Sequence, residues 1–321
     1  MRERAAMVDT LVVRSARAMA MAMGCVLLAA ACVCPGQTGG SPVGASGWAA
    51  AVTRAAWLVP DARIAVLDVD SGKLLGAARL SEAARTLAAP GSTLKPLALY
   101  QLVAAGRWDP SRRIACTRKL RIAGRSLACS HPPADPMNAQ QALAWSCNTY
   151  FAAVGAGLGP GELRRLLAPT GLLGQTGLAR DEAVAEFSEP HGADESSLAL
   201  LGVEGVRVTP LELAAAYRWL ALELVAHPAS PAARVVQAGL ADSASFGIAA
   251  AANAGGVPVA GKTGTANLGA GTASHGWFAG LVPAEEPQVV VVVYLPAGHG
   301  ANAAAMAADL IAHSPLGKGS R

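Results

Sequence analysis

The chain has 321 residues, 52% hydrophobic and 15% charged, which is ample for one compact domain with a substantial core or for one domain carrying an inserted subdomain. Its formal net charge of +4 includes a leader with Arg2, Arg4, Arg14 and Arg17 set against Glu3 and Asp9, so the remainder is close to neutral. That excludes nucleic-acid binding, which wants a dense basic face.

In chain order, a basic stretch ending at Arg17 precedes the apolar run Ala18 to Cys34 and a loose Pro35 to Pro42, the layout of a secretory signal. Two fates of this leader stand. Cleavage after Ala31 leaves Cys32 first for lipidation, as in a bacterial lipoprotein, although Ala29 occupies a position where leucine is preferred. An uncleaved membrane anchor is the rival, since about seventeen apolar residues lie at the short limit for spanning a bilayer. Either fate puts the rest of the chain outside the cytoplasm, in the periplasm or cell envelope, secreted or held to the membrane through its N-terminus. Arg63 to Asp70 then reads as a strand, Ser71-Gly72 as a tight turn and Lys73 to Arg79 as the returning strand. Ser92 to Ala105 has helical spacing at Leu94, Leu97, Leu99 and Val103, with Pro90-Gly91 as a breaker, so Ser92 is expected at a helix N-terminus.

Outside the leader the cysteines are Cys116, Cys129 and Cys147. Cys116 and Cys129 flank Lys119 to Arg125, whose alternation and central glycine suggest a hairpin or loop that a disulfide would close in an oxidising compartment; two buried thiols are the alternative. No C-x-x-C or histidine-rich spacing points to zinc, so no metal and no cofactor are expected, and His131 is read as a surface loop residue. Cys147 is read as a small core residue.

Helices are predicted at Asn138 to Val154, at Gly161 to Leu167, and from Thr209-Pro210 to about Leu224. Val257 to Thr265, His275 to Val282 and Gln288 to Leu295 read as adjacent antiparallel strands, and Ala301 to His313 as a closing amphipathic helix. The expected fold is α+β: an antiparallel sheet built from the first hairpin and the last three strands, flanked by helices, with an all-helical subdomain inserted between them and the active site in the cleft. Residues 45–313 are expected to form this domain, with 314–321 as a flexible tail.

Three strings carry the chemistry. In Ser92-Thr-Leu-Lys95, residues three apart on a helix share a face, so Lys95 reaches the Ser92 hydroxyl as a base without an intervening histidine. That requires a depressed lysine pKa, from burial and a nearby cation such as Lys262. In Ser146-Cys-Asn148, a hydroxyl and a carboxamide would relay a proton and hold Lys95 and the substrate. In Lys262-Thr-Gly-Thr265, a cation and the hydroxyls of Thr263 and Thr265 suit a carboxylate, and Gly264 would let a substrate backbone lie against the strand. Singly, each string also fits a structural role: an N-cap, a helix kink and a turn after a strand. Only five lysines occur in the chain, and two lie in these strings.

With Pro90-Gly-Ser-Thr-Leu-Lys-Pro96, Ser146-Cys-Asn-Thr-Tyr-Phe151, Val208-Thr-Pro-Leu-Glu-Leu-Ala214, Ala216-Tyr217, Ala260 to Ala266 and Gly276-Trp-Phe-Ala-Gly280 on view, the chain resembles the penicillin-binding protein transpeptidase domain, in the wider serine acyl-transferase group that includes serine β-lactamases. The resemblance covers about 63–295. It implies that Ser92 attacks the D-Ala-D-Ala carbonyl of a peptidoglycan stem peptide with Lys95 as base, that Ser146 and Asn148 manage the proton and position the substrate, and that Lys262, Thr263 and Thr265 bind its carboxylate. The backbone N–H groups of Ser92 and Thr265 would form the oxyanion hole, and a β-lactam would acylate Ser92. The partners implied are stem peptides and β-lactams. D,D-transpeptidase, D,D-carboxypeptidase, β-lactamase and non-catalytic β-lactam or muropeptide sensor all remain open. No Glu-x-x-Leu-Asn string follows the second motif, and Asn148 stands where class D β-lactamases usually have an apolar residue. No large amino-terminal catalytic module is expected before Arg63.

Overall fold

Every residue of Val289–Leu295 is buried, which an antiparallel strand achieves only when both faces of its sheet are covered. The computed structural model describes residues 43–253, 256–267 and 273–317. These fall in one compact unit. The leader, with Cys32 and both of its expected fates, lies outside the described residues.

The chain runs through α1 (Val43–Leu58), β1 (Arg63–Asp68), β2 (Leu74–Ala78), a short α2 (Leu80–Ala83), a 3₁₀ turn (Gly91–Leu94), α3 (Lys95–Ala104), β3 (Lys119–Ile122) and β4 (Arg125–Ala128). The helical middle follows as α4 (Ala139–Ala144), α5 (Asn148–Ala156), α6 (Glu162–Leu167), a short β5 (Glu186–Phe187), α7 (Ala193–Leu200), β6 (Val206–Arg207), α8 (Pro210–Ala226) and α9 (Pro231–Ser245). The long strands β7 (Ala260–Asn267), β8 (Ser274–Val282) and β9 (Val289–Leu295) lead into α10 (Gly300–Ala312). The main sheet has the order β2-β1-β9-β8-β7 and is antiparallel throughout. This is the α+β arrangement expected, with the first hairpin joined to the last strands through β1 and β9.

Because side chains alternate across a strand, the sheet feeds two cores. Ile64, Val66, Phe278, Val291 and Val293 meet Trp48 and Val52 of α1 and Leu310 and Ile311 of α10. Leu67, Trp277, Val290 and Val292 face the other way, into the larger core built by α3, α4, α5 and α8. The second layer of helix removes the polar face that an antiparallel sheet often keeps.

Several expectations are corrected. The predicted helix at Asn138 to Val154 is two helices, broken at Trp145–Cys147, for a reason given below. Helices α1, α7 and α9 were not anticipated. Helix α9 carries clear start signals, Ser230 capping Ala233 N with Pro231 in the first turn, but its alanine-rich body has a weak pattern. Ser314–Gly317, expected to fray, are tied down: Ser314 is buried and bonds the Ile311 carbonyl, and Pro315 packs at Gly47 of α1. Among the described residues no helix is long and apolar enough to cross a membrane.

Helices α5 and α7 touch where Gly155 has no side chain; a Cβ there would stand 2.7 Å from the Cα of Ser197 and 2.9 Å from the carbonyl of Ser196. Gly→Ala in an open helix stabilises by about 1 kcal/mol, whereas overpacking against backbone costs roughly 1–3 kcal/mol. Gly155→Ala is therefore expected to lower the urea midpoint; a raised midpoint would contradict this close approach.

Candidate active site

The segment before α3 is held from three sides. Gly91 adopts φ 55 and sits so close to β7 that a Cβ would come within 3.0 Å of the Thr265 backbone nitrogen and oxygen, and its N–H donates to the Gly202 carbonyl at 2.9 Å. The Ala89 carbonyl accepts from His275 Nε2 at 2.8 Å and Trp277 Nε1 at 2.9 Å. Tyr217 donates its hydroxyl proton to the Thr93 carbonyl at 2.9 Å. The expected position of Ser92 at an α-helix N-terminus is refined: Ser92 lies in the 3₁₀ turn, and the α-helix starts at Lys95 with Pro96 in its first turn. His275, Trp277 and Tyr217 have no assigned part in the sequence reading, although Tyr217 and Trp277 lie in the quoted strings. Their signal is chemical: a buried tryptophan or tyrosine needs a partner for its polar tip.

Lys95 is fully buried. Its Nζ donates to the Ser146 carbonyl at 3.0 Å, to Ser146 Oγ at 3.2 Å and to Asn148 Oδ1 at 2.8 Å, and lies 5.1 Å from the centre of the Phe151 ring. Burial depresses its pKa to about 7, partly opposed by the negative potential of Cys147 and Cys129. Lys262 is itself pushed well below its ordinary value, first by burial and then by the charge of Lys95, so the two buried lysines oppose each other's charging. A neutral Lys95 amine has two protons for the two carbonyl oxygens and a lone pair that can accept from the Ser146 hydroxyl.

The break between α4 and α5 creates this contact. Ser146 N–H donates to the Leu143 carbonyl and Cys147 N–H to the Ala142 carbonyl, the paired bonds of a Schellman termination. Glycine normally fills the left-handed position of that turn, but Ser146 fills it here with φ 55. A non-glycine residue in that conformation costs of order 1–2 kcal/mol, and the turn delivers its hydroxyl and carbonyl to one amine. Asn148 then opens α5, and its Nδ2 donates to the Ala128 carbonyl of β4 at 2.9 Å.

Edge strand β7 closes the arrangement. A cleft of about 310 Å³ is lined by Ser92, Ser146, Asn148, Thr263 and Thr265, with Ser126 to Ala128 of β4 on its wall. Thr265 Oγ1 accepts from Gly300 N at 2.9 Å, leaving its own proton to donate. Lys262 is fully buried, outside the cleft lining, and bonds the Thr263 carbonyl at 3.1 Å. A Cβ on Gly264 would stand 2.4 Å from the Pro90 carbonyl, so the missing side chain makes room for the turn that carries Ser92.

The Cys116–Cys129 disulfide is not formed. Both are free thiols, as is Cys147, and Cys129 Sγ lies 4.0 Å from Cys147 Sγ. The hairpin between them does exist, as β3 and β4. His131, expected at a loop surface, is 2% exposed, with its ring facing Trp145.

The strain at Ser146 is measurable. Ser146→Ala and Ser146→Gly remove the same hydroxyl, yet glycine is expected to be the more stable variant by about 1 kcal/mol, the reverse of the usual helical order. Equal or inverted denaturant midpoints would show that this backbone is not strained.

A family model, the penicillin-binding protein transpeptidase domain, matches residues 63–313. No curated protein matches the chain. Among solved structures, the chain is similar to the transpeptidase domain of Burkholderia pseudomallei penicillin-binding protein 3 in its apo form, at 19% identity and a TM-score of 0.72, covering 84% of this chain and 92% of that one. A peptidoglycan glycosyltransferase from Burkholderia ambifaria is 18% identical with a TM-score of 0.70, over 83% of this chain and 94% of that one. A structure of a peptidoglycan synthase complex that coordinates polymerization and crosslinking is 22% identical with a TM-score of 0.68, over 86% and 61%. These likenesses agree on the fold, and the family match spans most of the chain: the protein belongs to the penicillin-binding protein transpeptidase domain family.

Proposed function

We propose that the chain is a serine acyl-transferase that acts outside the cytoplasm on the D-Ala-D-Ala end of peptidoglycan stem peptides, as a D,D-transpeptidase or D,D-carboxypeptidase, and that penicillin acylates it at Ser92. The observation that carries this reading is the buried Lys95, with a pKa near 7, held by Ser146 and Asn148 beneath a cleft lined by Ser92, Thr263 and Thr265. The secretory layout of the leader supports the compartment.

In this reading the neutral Lys95 amine takes the Ser92 proton as Oγ bonds to the carbonyl carbon. The negative charge on the carbonyl oxygen meets the N–H groups of Ser92 and Thr265, whose segments the Gly91 contact brings together. As the amide C–N bond breaks, the Lys95 proton passes through the Ser146 hydroxyl to the leaving D-alanine nitrogen. Thr263 and Thr265 hydroxyls hold the terminal carboxylate, whose charge favours a protonated Lys262. The acyl group then passes to a second stem peptide or to water.

Incubation with a fluorescent penicillin should label the purified chain covalently and leave Ser92→Ala unlabelled; label on Ser92→Ala, or none on the parent chain, would sink the acyl-enzyme. Rapid loss of label would identify a β-lactamase, and persistent label without D-alanine release from a D-Ala-D-Ala peptide a sensor. Lys95→Ala should slow labelling by roughly 10²–10⁴-fold, the range for a lost general base. Because the neutral amine is the active form, its fraction falls as pH drops below about 7, so labelling should slow toward tenfold per pH unit there and level off above. A rate flat from pH 5 to 8 would remove Lys95 from the base role.

A further inference from the structure

We propose that Cys116, Cys129, His131 and Cys147 form a structural zinc site packed behind the Ser146–Asn148 turn. The four residues come from three segments: Cys116 precedes β3, Cys129 and His131 follow β4, and Cys147 lies between α4 and α5. Their ligand atoms all lie within 4.8 Å of one another. Tetrahedral zinc, with sulfur at about 2.3 Å and nitrogen at about 2.0–2.1 Å, sets its ligands roughly 3.5–3.8 Å apart, so a contraction of at most about 1.3 Å closes the set. A disulfide between Cys129 and Cys147 would need their sulfurs at about 2 Å, half the 4.0 Å observed.

His131 supplies the independent observation. Its Nε2 is buried without a hydrogen-bond partner, a state that native proteins largely avoid. Its Nδ1 lies 2.6 Å from the Pro132 carbonyl and 3.5 Å from Arg118 Nη1; the much shorter contact, to an acceptor, puts the proton on Nδ1 and leaves a lone pair on Nε2. A metal-bound histidine has this same division, with one nitrogen donating to a carbonyl and the other on the metal. The sulfurs are prepared likewise: Asn148 N–H donates to Cys129 Sγ at 3.2 Å and Arg118 N–H to Cys116 Sγ at 3.3 Å, donors that favour thiolates. The Arg118 guanidinium also bonds the His131 carbonyl and balances the net negative charge of three thiolates around a divalent ion.

The donor set selects the ion. Three sulfurs and one imidazole suit zinc and exclude magnesium and calcium, which take oxygen ligands. Bound zinc would tie the β3–β4 hairpin to the start of α5 at Cys147, between Ser146 and Asn148. The site stands on its own geometry and does not depend on the acylation reading.

The full chain, purified with its thiols reduced, should carry about one zinc per molecule by elemental mass spectrometry. Removal by a strong chelator should lower its melting temperature by roughly 5 °C or more, and added zinc should restore it. Cobalt(II) put in place of zinc should give thiolate charge-transfer absorption and the d–d bands of a tetrahedral ion. Cys116→Ser and His131→Ala should weaken zinc binding at least about tenfold. Because those variants also remove buried packing, His131→Cys serves as a conservative check: it should retain cobalt and gain thiolate absorption. Folded, reduced parent chain without zinc or cobalt binding, equal binding by folded His131→Ala, or an intact mass two hydrogens below the reduced value would each overturn the site. Ser92→Ala should bind zinc normally, which separates failure here from failure of the acyl-enzyme.

Discussion

The burial of Lys95 is the constraint on which the site depends. A lysine taken out of water either finds acceptors or loses its proton, and here both occur: three acceptors surround Nζ and burial brings its pKa to about 7. The acceptors come from one turn, Ser146 to Asn148, so the helical subdomain and the nucleophile segment are locked together through a single amine. The strain of Ser146 in a left-handed conformation is the cost of aiming its hydroxyl and its carbonyl at the same atom.

The sheet supplies the rigidity that this arrangement needs. With α1 and α10 on one face and the helical subdomain on the other, β8 and β9 are fully buried. Trp277 and His275 on β8 reach forward to the Ala89 carbonyl. Strand β7 is the edge of the main sheet, the kind of position at which an extended peptide can pair. Glycines at 91, 202 and 264 let three backbones approach more closely than side chains would permit, which brings the Ser92 turn against Thr265. The candidate site residues thus sit on elements fixed by packing, and the cleft is the gap left among them.

Much of this was legible in the sequence because the signals were local. Alternation and turn residues located the strands, and Thr209-Pro210 located the start of α8. The three strings hold Ser92, Ser146, Asn148, Thr263 and Thr265, which line one cleft, and Lys95, which bonds Ser146 and Asn148 beneath it. What escaped depends on tertiary neighbours. A serine in the left-handed region has no sequence signature, so the break between α4 and α5 read as continuous helix. Nothing local announces the Pro90 carbonyl that Gly264 admits. The cluster of Cys116, Cys129, His131 and Cys147 lacks the short spacing of a metal knuckle; it is assembled by a hairpin folding against a helix start. Helix α1 has an apolar content spread around its circumference, which hides a helical stripe.

The central claim is that Lys95 is neutral in a large fraction of molecules at neutral pH. The chain has only five lysines, Lys73, Lys95, Lys119, Lys262 and Lys318, so NMR titration of isotope-labelled lysine side chains can resolve them, with Lys95→Arg to assign the signal. The account predicts a Lys95 midpoint near 7, while a midpoint at the ordinary lysine value of about 10.4 would contradict it.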